Sequence, residues 1–134
     1  MQNPPPGKSA LGLDANIVAG LCYVGNLVCY LGLILSIVTV VTDKTNKLAR
    51  FHAFQSLFLS IVGLLLGGAY FVAAIVGAIL DHMIGYPAFT MLLPLLIGLL
   101  FLLLLVGIII AAIKAFQGEI YKLPIVGKFA DQYS

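Results

Sequence analysis

Two histidines, two cysteines and five carboxylates are the residues of this 134-residue chain with the strongest claim on metal, acid–base or nucleophilic chemistry. Their spacing denies most of it. His52 and His82 are 30 residues apart in one expected helix, roughly 45 Å along its axis, so they cannot share a centre. Either alone would be an axial ligand to a pigment or haem with no second feature to support it. Cys22 and Cys29 lie seven residues apart in one expected helix, about 10 Å along the axis and beyond the ~7 Å that a disulfide bridges, so they read as small core residues. Asp14, Asp43, Asp81, Glu119 and Asp131 are scattered, and no HExxH, CxxC, phosphate-binding glycine loop or GxSxG occurs. The expectation is a protein without catalytic residues, metal or cofactor.

The polar residues concentrate instead in Arg50-Phe-His-Ala-Phe-Gln-Ser56, where helical spacing puts His52, Gln55 and Ser56 on one face as the chain enters an apolar stretch. Groups at that depth need partners. Lys44, Lys47 and Arg50 near a helix N-terminus also oppose the helix dipole, so something must favour them: anionic headgroups, the positive-inside rule, or the nearby C-terminal segment with Glu119. Arg50, His52, Gln55, Gln117 and Glu119 are therefore expected to form one interfacial polar cluster, with Arg50 and His52 facing Glu119 or Gln117. Lys44, Lys47, Lys114, Lys122 and Lys128 are expected to meet lipid headgroups.

Positioning these residues falls to helices in a bilayer. The chain is 62% hydrophobic and 9% charged, with a mean hydropathy of +1.14, outside the range of soluble domains. Uncharged runs of 28, 30 and 32 residues occupy 15–42, 51–80 and 82–113, and roughly 20 apolar residues suffice to cross a bilayer. The reading is an all-α polytopic membrane protein with three transmembrane helices, about 15–42, 47–80 and 88–116. An extended or disordered Pro-rich tail, 1–14, precedes them, and an interfacial segment, 117–134, follows. Thr45 or Asn46 would cap the second helix, and Pro94 is a candidate kink in the third.

Three crossings leave six of the seven basic residues on one side and Lys8 on the other, so the positive-inside rule predicts an outside N-terminus and a cytoplasmic C-terminus. A net charge of +2 beside apolar runs excludes a nucleic-acid footprint. Lipid is the expected counter-charge.

Membrane helices associate where small side chains let backbones approach. Cys22, Gly25, Cys29 and Gly32 give such a stripe in the first helix, extended by Ser36 and Thr39. Ser56, Ser60, Gly63 and Gly67 give one in the second, and Gly107 and Ala111 in the third. All are expected packing positions. Asn26, about a third of the way into the bilayer, is expected to bond a neighbouring helix.

Thr45-Asn-Lys-Leu-Ala-Arg-Phe-His-Ala-Phe-Gln-Ser56 and Ala115-Phe-Gln-Gly-Glu-Ile-Tyr-Lys-Leu-Pro-Ile-Val-Gly127 together resemble a family of small bacterial membrane proteins of unassigned function. That family is similar to the twenty-kilodalton component of the chloroplast inner-envelope (Tic) protein translocon. The resemblance covers about residues 15–130 and implies an integral protein of the bacterial inner membrane. The expected function is non-enzymatic: an accessory or scaffolding subunit that packs against other membrane helices, in homo- or hetero-oligomers. The resemblance implies a component of a protein-translocation or insertion machine as the alternative.

Overall fold

A computed structural model describes residues 7–134, which form five α-helices and no strand. The prolines at 4–6, expected in an extended tail, lie outside the described residues. In chain order the helices are α1 (Ala15–Leu27), α2 (Leu31–Thr42), α3 (Lys47–Ile84), α4 (Ala88–Phe116) and α5 (Val126–Tyr133). Two of them, α3 and α4, are long and apolar enough to cross a membrane, not the three expected. The chain divides into two compact units, one of residues up to Ser60 with Gly107–Ser134, the other Ile61–Val106.

In the first unit the expected 15–42 span is broken. Cys29 and Tyr30 take left-handed backbone angles, φ 50° and 58°, which no α-helix continues through. The chain folds back there, and α1 and α2 pack as a hairpin. Gly25 and Gly32 make this possible: a β-carbon on Gly25 would lie 2.6 Å from the Gly32 nitrogen, and one on Gly32 would overlap the Cys22 carbonyl oxygen and the Asn26 nitrogen. At 13 and 12 residues, the two helices are only about 20 and 18 Å long.

Residues beyond the hairpin close the same unit. The loop 7–14 is folded, not extended: Ser9 N–H donates to Leu13 O at 2.8 Å, and Ala10 N–H to Asp43 Oδ2 at 3.1 Å. The Asp43 carboxylate also accepts from Asn46 N–H at 3.2 Å, ordering the turn before α3. There Asn46 is the cap, its Oδ1 accepting from Ala49 N–H at 3.2 Å. The start of α1 meets the end of α4, where Asn16 Nδ2 donates to Phe116 O at 2.9 Å and the Phe116 ring covers Gly20. Three crossings would have put these two ends on opposite membrane faces; the fold-back at residues 28–30 brings them together. The tail 117–134, expected as an interfacial segment, carries a helix of its own, α5, with Phe129 over Phe58 and Tyr133 beside Phe54 and Phe58.

The second unit is the far part of α3, a tight turn, and the near part of α4. Gly85 adopts φ 72° and ends α3, its N–H donating to Asp81 O at 2.8 Å. The Asp81 side chain then starts α4, accepting from Phe89 and Thr90 N–H at 2.8 Å each and from the Thr90 hydroxyl. A carboxylate at a helix N-terminus satisfies orphan donors and complements the dipole. Gly77 lies against the Phe89–Thr90 backbone, about 3.0–3.1 Å from a β-carbon built there. Asp81→Ala is expected to lower the thermal midpoint and fray the first turn of α4, while Asp81→Asn, which keeps one acceptor oxygen, should lose less; circular dichroism in detergent checks the order.

Candidate functional site

The strongest concentration of buried polar groups is in the first unit, where α1, α3 and the tail after α4 meet. Tyr23, His52, Gln55 and Ser56 are all fully buried, so each polar atom must find a partner inside the protein. The Glu119 carbonyl can only accept, so His52 Nε2, 2.9 Å away, carries the ring proton and donates to it. His52 Nδ1 is then the acceptor for the Tyr23 hydroxyl at 2.9 Å. That hydroxyl oxygen accepts from Gln55 Nε2 at 3.0 Å, and the same amide donates to Tyr121 O at 3.2 Å. Gln55 Oε1 closes the chain by accepting from Leu123 N–H at 3.2 Å. Every link has a donor and an acceptor of the right kind, with a neutral imidazole.

One helical turn further, Ser56 Oγ donates to Cys22 O at 2.8 Å and accepts from Asn26 Nδ2 at 2.8 Å, which is the cross-helix bond expected of Asn26. Ser60 and Thr39 return their hydroxyls to the carbonyls of Ser56 and Leu35, each at 2.8 Å. Asn26 Oδ1 and Ser36 Oγ are buried without a partner.

The expected polar cluster therefore forms in part, and differently. His52 does meet Glu119, through its backbone oxygen. Arg50 does not: its guanidinium donates to Tyr133 O at 3.3 Å and to Val40 and Asp43 O at 3.4 Å, and lies 5.6 Å from the Phe54 ring centroid. The Glu119 carboxylate is taken by Lys114 at 2.8 Å, a neighbour five residues back, and Gln117 is exposed. Tyr23 is the member of the network that residue pattern does not single out; the signal for it is its spacing of three from Asn26, which puts both on one face of α1.

Among the expected packing positions, Cys22 and Ala111 are fully buried, Ser56 and Ser60 bond as described, and Gly63 is buried. Gly107 lies under Leu123, 3.7 Å from a β-carbon built on it. Cys29 is exposed in the hairpin turn and packs on nothing expected of it. Gly67 has no atom within 4 Å of its β-carbon position, nor do Gly68 and Gly98. Of the cations assigned to headgroups, Lys44, Lys47 and Lys128 are exposed, Lys114 holds Glu119, and Lys122 holds Asp131 at 2.8 Å. The Lys122 hydrogen bond keeps the Asp131 carboxyl below its ordinary pKa. Among the described residues no group of three or more His, Cys, Asp or Glu side chains is placed to hold a metal ion.

Two long apolar helices, an all-helical fold and a polar network turned inward define a small helical membrane protein. Residues 14–130 match the MamF/MmsF family, described as the magnetosome magnetite crystal formation protein family, and the chain belongs to it. It is also similar to two UPF0132 membrane proteins of Methanocaldococcus jannaschii. One is 34% identical over 96% of each chain; the other is 36% identical over 92% of this chain and 73% of its own length. No solved structure matches. These relatives are archaeal, where the motifs suggested a bacterial family, and they show no link to the chloroplast translocon.

Proposed function

We propose that this protein is a non-enzymatic scaffold of its membrane, an accessory subunit that acts by packing α3 and α4 against other membrane helices. The observation that carries this reading is the bareness of those helices: in the most apolar stretches of α3 and α4 only 17% and 11% is buried. Gly67 and Gly68 on α3 and Gly98 on α4 are open, and such positions admit another backbone closely. The polar groups of the buried cluster are meanwhile spent on one another or on the tail.

In our reading α3 and α4 cross the bilayer, and the loop 7–14, the turn 43–46 and the tail 117–134 share one face. All seven basic residues belong to the first unit, with those segments, and Asp81 is the only formal charge in the second. By the positive-inside rule the shared face is cytoplasmic, the loop 7–14 included, where the three-span reading puts that loop outside. In a family named for magnetite crystal formation, this chain would act on the surrounding membrane and not on mineral. Four of its five acidic side chains are engaged: Asp43 by backbone amides, Asp81 by α4, Glu119 and Asp131 by lysines, which leaves Asp14 alone at the start of α1.

Gly67→Leu tests the scaffold. A β-carbon at position 67 has open space around it, so thermal stability in detergent should stay that of the parent, while the species isolated through a tag from native membranes should shrink to the single subunit. If the variant keeps the parent's assembled size, the open face of α3 is only a lipid contact and the proposal fails.

A further inference from the structure

The two-span reading leaves the α1–α2 hairpin unassigned, and its surface is the reverse of a soluble protein's. No charged side chain occurs from Ala15 to Thr42. The polar and small residues, Cys22, Ser36 and Thr39, are turned inward and fully buried, while Leu27, Val28, Leu31, Ile34 and Val41 are each more than half exposed. Water is the wrong medium for that outer surface. Neither helix is long enough to cross, at about 20 and 18 Å against roughly 30 Å of hydrocarbon. Both ends of the hairpin are held at the cationic end of the unit, Ala15 against Leu48 and Ala49, and Asp43 against the 7–14 loop. Its tip, Val28–Tyr30, is uncharged.

We infer that the α1–α2 hairpin is a wedge seated in one leaflet only, entering from the cationic face, and that its partner is the acyl-chain layer of an outwardly curved leaflet. Two helices side by side, each 10–12 Å across, add roughly 200 Å² of cross-section. Because the hairpin stops near mid-depth, that area is added to the leaflet beside the cations and withheld from the other. A leaflet stretched on the convex side of a bend offers the looser packing such an insertion fills. The exposed Lys44, Lys47 and Lys128 suit the anionic headgroups above it. The inference rests on the two-span reading and adds a preference that two spans alone would not give.

The experiment uses the full chain in giant vesicles of phosphatidylcholine with a minority of phosphatidylglycerol, from which narrow membrane tubes are drawn outward. A fluorophore on the C-terminal tail and an external quencher separate molecules with the cationic face outside from those with it inside. The outward-facing fraction should be enriched severalfold in the tube relative to a lipid dye, and the inward-facing fraction depleted. Equal density of both fractions in tube and vesicle overturns the wedge. Leu31→Asn with Ile34→Asn, both outward-facing, should abolish the difference while the protein stays membrane-bound; if that variant does not fold, the two orientations of the parent still decide.

Single cysteines at the exposed Ala10 and Thr45, with Cys22 and Cys29 replaced by Ala, separate the two readings. Labelling of both from one face by an impermeant thiol reagent supports the two spans whatever the tubes show. Labelling from opposite faces removes the two-span reading and the wedge with it.

Discussion

Gly32→Ala is expected to open the α1–α2 hairpin and unfold most of the first unit. The added methyl would overlap the Cys22 carbonyl oxygen and the Asn26 nitrogen and lie 2.6 Å from Asn26 Oδ1. Two of these three atoms are backbone, so no side-chain rotation relieves the clash; the helices must part by on the order of 1 Å, and a gap of that size forfeits a quarter to a half of the dispersion attraction between facing atoms. Overpacking alone costs about 1–3 kcal/mol. Separation also strains the bonds from Asn26 to Ser56 and from Ser56 to Cys22, so the total should reach about 3 kcal/mol or more. Gly67→Ala is the control: its β-carbon meets nothing, and replacing a mid-helix glycine should be neutral or stabilise by about 0.5–1 kcal/mol. Thermal unfolding of both in one detergent checks the contrast, and equal midpoints would remove the close approach of α1 and α2 from the fold.

Gln55→Leu is expected to release the tail. The substitution keeps most of the volume but deletes both ends of the amide, leaving Leu123 N–H and Tyr121 O without the partners they have at 3.2 Å. Each orphaned group costs about 1–3 kcal/mol, so roughly 2–6 kcal/mol should be lost. Tyr23 keeps its bond to His52, and His52 its bond to Glu119, so the hairpin should outlast the tail. The signature is therefore local: cleavage by protease between Glu119 and Leu123 at temperatures where the parent resists, with helix content nearly unchanged. His52→Leu should act in the same direction but less, since it orphans the Glu119 oxygen while Gln55 still holds two residues. A Gln55→Leu tail as resistant as the parent's would mean that the aromatic contacts of α5 hold the segment without the amide.

Much of this fold is legible from residue pattern. The span at 88–116 coincides with α4, the turn around Gly85 and Pro87 falls where glycine and proline mark it, and Asn46 caps α3. His52, Gln55 and Ser56 do share a buried face. The break at Val28–Tyr30 is not legible, because it carries no glycine, proline or charge and sits midway through 28 uncharged residues. The small-residue stripe conceals it further. Gly25 with Gly32, and Cys22 with Ser36, lie nearly symmetrically about residue 29, so one face of a straight helix and two facing sides of a hairpin give the same sequence pattern. The partners of His52 and Gln55 are hidden for another reason: Glu119 and Tyr121 contribute carbonyls, which every residue supplies, and Leu123 an N–H, which every residue but proline supplies.

The order of synthesis gives that backbone capture a timetable. The groups that His52 and Gln55 need arrive 66 to 68 residues after them, and a ribosome adding about 5–20 residues per second takes roughly 3–14 s to deliver them. Throughout that interval α3 and α4 are being threaded into the bilayer while an imidazole and an amide wait with Tyr23 as their only lasting companion. On the two-span reading both long helices are thus made before the first unit is complete, and residues translated after α4 are the ones that finish its core.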